Sequence, residues 1–228
     1  MSIALLRPEH SNSICPMTTG VARDFPFVFG KLKEYGVLLE SDPKLPSVCG
    51  LLVGEPLSGS WWSHPLAQRI FHVSEQLADD PDVLITRLVS SKVTFVHRTV
   101  WPEVFAISTA REAWQTKGLS TAARRLLRMI DEAASLRTDN LVWPGSAKSK
   151  PGEAARELER KLLVHSEQLH TQSGAHAKML ETWSHWAARR GFKAAKLSPD
   201  EAKRTLEAKI ATLNRLAGAT AKLPWQSR

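Results

Sequence analysis

Two runs rich in β-branched residues, DVLITRLV (82–89) and KVTFVHR (92–98), meet at Ser90-Ser91. Such runs joined by a short polar turn predict an antiparallel hairpin, the strongest β signal in the chain. Almost everything around it follows helical spacing. Phe27, Val28, Leu32, Tyr35, Leu38 and Leu39 recur at helix-like intervals after Pro26, and Asp42-Pro43 predicts a stop, since a residue before proline avoids the α region. A short helix is expected over LPSVCGLLVGE, closed by Gly54 and Pro56, and a third over 65–78 with Leu66, Ile70, Val73 and Leu77 on one face. Helices are also expected from Trp101-Pro102 and from the Ser120 cap, with Ala123, Leu126, Leu127 and Ile130 buried.

The C-terminal third reads as two long helices. One is expected over 153–190, ended by Arg189-Arg190 and Gly191. The other starts at the Ser198–Glu201 capping box and runs to about Ala217. The fold class is therefore α+β and mostly helical: a winged-helix-like N-terminal body with a β-hairpin, plus a C-terminal long-helix hairpin. The expected divisions are an irregular arm 1–24, the body 25–137, a Pro/Gly/Ser/Lys-rich linker 138–152, the helical hairpin 153–217 and a tail 218–228. No internal repeat is visible. The helical hairpin has to dock on the body or on another subunit to bury Leu158, Leu162, Leu169, Leu180 and Trp183, so a homodimer is one expectation.

Charge narrows the partner. Residues 1–140 hold 15 Lys/Arg and 15 Asp/Glu, whereas 141–228 hold 16 against 8, so the net charge of +8 lies wholly in the C-terminal part. This asymmetry points to an anionic partner such as double-stranded DNA, or to long helices kept soluble by Lys and Arg. No apolar run approaches the roughly 18 residues that span a bilayer, and the apolar part of the N-terminus is too short for a secretory signal, so no membrane partner and a cytoplasmic location are expected. Cys15 and Cys49 lie in no CxxC pair and near no His at ligand spacing, which predicts reduced thiols and no metal. No Gly-rich phosphate loop or nucleophile elbow occurs, and no cofactor is expected.

Three places carry chemistry. Three helices followed by a hairpin is the order of a winged helix, in which the third helix reads the major groove. On that analogy Gln68, Arg69 and His72 reach bases, Arg87, Ser91 and Lys92 sit at the hairpin tip, and Arg189 and Arg190 grip phosphate. The same helix has only one fixed positive charge and ends in Asp79-Asp80, which weakens it as a reader. Second, in HSEQLHTQSGAHAKMLETWSHW a helix would align His165, Gln172 and His176 and bring Glu167 within reach of His170. That pair is the weak catalytic candidate, since Glu167 orienting His170 suits a general base, and it suits an ordinary polar pair equally well. Third, Trp61 and Trp62 cannot both face one core if their segment is extended. A solvent-facing one suits base stacking, and a loop anchor is the other reading.

The stretches EYGVLLESDPKLPSVCGLLVGEP, WWSHP, DVLITRLVSSKVTFVHRTVWP and LLVHSEQLHTQSGAHAKMLETW resemble bacterial relatives of the AlkZ (YcaQ) group, over roughly residues 26–190. AlkZ proteins are winged-helix DNA glycosylases, so the resemblance implies a winged-helix architecture and a link to DNA. The function expected is DNA binding in repair or gene control, with a glycosylase-like hydrolase and a non-catalytic interaction module as alternatives. The glycosylases position water with a Gln-x-Gln or Gln-x-Asp pair. This sequence contains none, so no catalytic residue is carried over.

Overall fold

In the computed structural model, residues 18–141, 143, 151–170 and 176–226 are described. The chain opens with α1 (Thr18–Tyr35), β1 (Val37–Leu39), α2 (Val48–Val53), α3 (Ala67–Asp79), β2 (Val83–Thr86) and β3 (Thr94–His97). The three strands form an antiparallel sheet in the order β1–β3–β2. Ser47 caps α2 by accepting from Gly50, and Gly54 ends it in the left-handed region. Ser90 and Ser91 both have positive φ, and Lys92 N–H donates to the Val89 carbonyl across them, as a tight right-twisting hairpin turn requires.

α4 (Trp101–Thr109), the four-residue α5 (Ala113–Thr116) and α6 (Thr121–Ala133) follow, then β4 (Ser135–Arg137) and α7 (Pro151–Arg160). β5 (His165–His170), β6 (His176–Glu181), α8 (Trp183–Arg189) and α9 (Pro199–Ala217) complete the chain. β4, β6 and β5 make a second antiparallel sheet in that order. The first–third–second arrangement of strands therefore recurs in α6–β4–α7–β5–β6, where among the described residues α7 alone stands in the place of α2 and α3. The repeat is topological, which is why residue matching does not reveal it.

The first sheet is buried on both faces. Leu38, Val83 and Phe95 point into a core with α1, α2 and α3, while Val37, Leu39, Leu84 and Val96 point into a core with α4, α8 and α9. That explains why β1 and β3 are buried at every position instead of alternating. The second sheet has one apolar face, with Leu136 and Leu180 against α6 and α7. Its other face is polar and meets α8.

Several boundary expectations change. The helix expected to run from Pro26 to the Asp42-Pro43 stop ends at Tyr35, where Gly36 takes a positive φ, and Leu38 and Leu39 belong to β1. The arm expected over 1–24 is helical from Thr18; residues 1–17, with Cys15, lie outside the described residues. Asp24 ties the start of α1 to Arg69 on α3, and this packing outweighs the bond that Pro26 removes. The helix expected over 153–190 is instead α7, a hairpin and α8. α7 ends where Leu162 adopts φ 52 and Leu163 N–H reaches back to the Leu158 carbonyl. HSEQLH and HAKMLE then alternate as strands, so His165, Gln172 and His176 share no helical line; Gln172 itself lies outside the described residues. The expected C-terminal helical hairpin is thus α9 alone, laid across α4. The linker over 138–152 begins bonded to β6, since Thr138 and Lys178 exchange hydrogen bonds, and Pro151-Gly152 already belongs to α7; residues 142 and 144–150 lie outside the described residues. The tail also docks: Leu223 is buried, and Lys222 exchanges hydrogen bonds with Ser90 at the hairpin turn.

Cys49 is buried, and burial pushes its thiol up to about 11, so it is an inert packing group. No described helix is long and apolar enough to cross a membrane.

Candidate functional site

The polar face of the second sheet is set by strand register. Ser135 and His165 both lie opposite Glu181, and Glu167 lies opposite Met179, so these side chains share one face. α8 begins at the Thr182 cap, directly after β6. This carries His185 and Arg189, four and eight residues beyond Glu181, over the same face.

Glu181 is fully buried. Its carboxylate accepts from Nδ1 of His165 at 2.9 Å, Nδ1 of His185 at 2.7 Å and Nη2 of Arg189 at 2.6 Å. Burial alone would raise its pKa. The hydrogen bonds from His165, Arg189 and His185 overcome that and hold it well below the ordinary carboxylate range. Arg189 bridges outward to Glu167 at 2.9 Å. Ser135, Glu167, Met179, Glu181, His185 and Arg189 line a cleft of about 150 Å³. Because Glu181 holds Nδ1 of His185, Nε2 of that ring is the nitrogen left for a ligand; in the neutral tautomer it carries the lone pair. His165, by contrast, is enclosed by Trp183 and Trp186 and orients Glu181 from behind.

The structure redistributes the residues expected from sequence. Glu167 belongs to this cleft, partnered by Arg189. His170 lies at the far end of β5, paired in register with His176, so the helical spacing that would join Glu167 to His170 does not exist here. Among the described residues no group of three or more His, Cys, Asp or Glu could hold a metal ion. The hydrogen-bonding residues Gln68 and His72 are exposed on α3. Arg69 is clasped by Asp24, Arg87 bonds Glu159 at 3.2 Å and the Ser91 carbonyl at 3.2 Å, and Lys92 bonds Asp42 at 2.7 Å. Arg190 donates to the Val83 carbonyl at 3.2 Å. Four of the cations expected to meet nucleic acid, Arg69, Arg87, Lys92 and Arg189, are thus matched by carboxylates.

Lys193 and Lys196, on the exposed connection between α8 and α9, form no ion pair among the described residues. Sequence reasoning passed over Glu181, His185 and Ser135. The alternation of HSEQLH and HAKMLE, and the spacing of four from Glu181 to His185 to Arg189, were the signals available. Reading the segment as one long helix hid both.

No curated protein and no solved structure matches the chain. The family model described as AlkZ related matches residues 30–222, which span both sheets, the polar cleft and all of α9. On that match the chain belongs to the AlkZ-related family.

Proposed function

We propose that this protein binds DNA as a tandem winged-helix protein and takes part in DNA repair or gene control. The observation that carries the reading is a helix and strand followed by an antiparallel strand pair, with strands arranged first–third–second, found twice in a chain of the AlkZ-related family; α2 and α3 precede the pair in the first unit and α7 precedes it in the second. Positive charge supports it. Lys193 and Lys196 lie on an exposed connection that begins beside the cleft, and cations not matched by carboxylates are the ones able to release counterions from a duplex. The matched residues Arg69, Arg87, Lys92 and Arg189 act here as positioning groups, leaving Gln68 and His72, with Gln76 further along, as exposed α3 side chains that can hydrogen-bond a ligand. Fluorescence anisotropy with a labelled duplex at several salt concentrations tests the reading. Affinity should fall steeply as salt rises, and flat, weak curves at low salt would remove it.

The cleft favours a second reading, a glycosylase-like hydrolase. Glu181 fixes the imidazole of His185 with Nε2 available, and Glu167 stands at the rim; a positioned base beside a carboxylate suits activation of water. Glu181 itself, held ionised by three donors, orients His185 rather than accepting the proton. On this reading Glu167→Gln and His185→Gln each abolish base release while DNA affinity and folding persist. Base release undiminished in both variants would exclude the cleft as its site.

A further inference from the structure

Trp62 is 65% exposed, and its partner Trp61 is buried in the core of the first unit. Both lie in a single 3₁₀ turn, Trp61–Ser63, capped by Ser60. Their rings stack with centroids 4.1 Å apart and planes 21° from parallel. One face of Trp62 is therefore covered by a ring that is itself rooted in the core, and the indole is held in place before any ligand arrives. Phe71, 40% exposed on α3, approaches Trp62 with centroids 6.0 Å apart and tilted by 43°, which walls one side of the platform. Neither ring is needed where it stands for the packing of α3, whose buried stripe is Ile70, Val73 and Leu77.

The polar groups around the platform define what it can accept. Gln68 and His72, three residues before and one after Phe71, are exposed on α3, and both offer hydrogen-bonding groups. Arg69, between Gln68 and Phe71 in the sequence, is clasped by Asp24. Toward the end of α3 the exposed residues become Glu75 and Asp79, which repel phosphate. Backbone phosphates laid along the C-terminal half of α3 would meet those carboxylates, whereas residues 67–72 carry none. A single base on Trp62, beside Phe71 in that first half of the helix, avoids them.

We propose that Trp62 and Phe71 form a stacking site for a single unpaired nucleobase, with Gln68 and His72 at its edges. The proposal rests on the DNA-binding reading and adds a preference to it: bulged or frayed DNA over fully paired DNA. Stacking on an indole should make this preference about tenfold.

The test uses the full chain and two duplexes, one carrying 2-aminopurine as a one-nucleotide bulge and one fully paired. Wild-type protein should quench the 2-aminopurine and bind the bulged duplex about tenfold more tightly. Trp62→Ala should abolish the quench and the preference while leaving affinity for the paired duplex within about twofold; Trp62→Phe should restore part of both. Because Trp62 is mostly exposed, the far-ultraviolet circular dichroism of both variants should match wild type. Quench and preference unchanged in Trp62→Ala would overturn the stacking site while DNA binding stood, as expected of a patch that serves a protein partner. Failure of wild-type protein to bind either duplex would overturn the DNA-binding reading and the stacking site with it.

Discussion

The two units share a strand order and differ in what covers their sheets. In the first, helices pack on both faces, and the strands direct Val, Leu and Phe into both cores. In the second, α6 and α7 cover one face, and the other holds Glu181, His165 and Glu167 beneath the short helix α8. The strand order does not depend on this difference. A three-stranded sheet needs one apolar face and a helix layer to be stable, and its second face is free to be core or site. The joints between helix and strand make the same point. Gly36 (φ 76) and Ala134 (φ 62) each stand alone between a helix and the first strand of its unit. A Cβ at Gly36 would lie 2.8 Å from Val100, so the first unit requires glycine there, whereas the second accommodates alanine.

Substitutions that treat the units as equivalent should expose where they are not. The largest effect is expected from Phe95→Ala in the doubly covered sheet. It should cost about 4 kcal/mol in denaturant unfolding, while Met179→Ala on the polar face of the second sheet should cost under about 1 kcal/mol. Equal costs would mean that the second sheet is covered as the first is. Next comes Glu181→Ala, which leaves Arg189 and two imidazoles without their shared acceptor and should cost about 3 kcal/mol. The pH dependence has a fixed sign. Glu181 is held below its ordinary value in the folded state, so its contribution is complete above the ordinary carboxylate range and is lost as pH falls below it. Between about pH 7 and pH 3, stability should therefore decline less in Glu181→Gln than in wild type; equal slopes would show that His165, His185 and Arg189 do not depress Glu181.

The joint residues come third and should change stability in opposite directions. Gly36→Ala should destabilise by about 2 kcal/mol through its positive φ and the contact with Val100, and Ala134→Gly should stabilise by up to about 1 kcal/mol by relieving the strained φ. The smallest effect on folding, within about 0.5 kcal/mol, is expected for the double variant Lys193→Ala/Lys196→Ala. Its effect on DNA should be larger: the slope of log affinity against log salt should fall by about 2. An unchanged slope would move the phosphate contacts away from the α8–α9 connection.

Local chemistry was legible in the sequence wherever a few adjacent residues decide it. The hairpin at Ser90-Ser91, the caps at Ser120 and Ser198, the stop at Gly54 and the apolar stripes of α3 and α6 depend on turn geometry and on neighbours within one helical turn. The sequence also determined that positive charge is concentrated after residue 140. Tertiary structure decided the rest. Residues 165–170 and 176–181 are polar enough to suit either period, and they form strands because β4 supplies a partner edge and α6 and α7 accept Leu180; neither condition can be read from the segments themselves. The same holds for charge. Arg69 meets Asp24 across 45 residues and Arg87 meets Glu159 across 72, so whether a cation is free for phosphate depends on which carboxylate folding brings beside it. Coulomb attraction at contact distance outweighs position along the chain, and only the folded chain sets those distances.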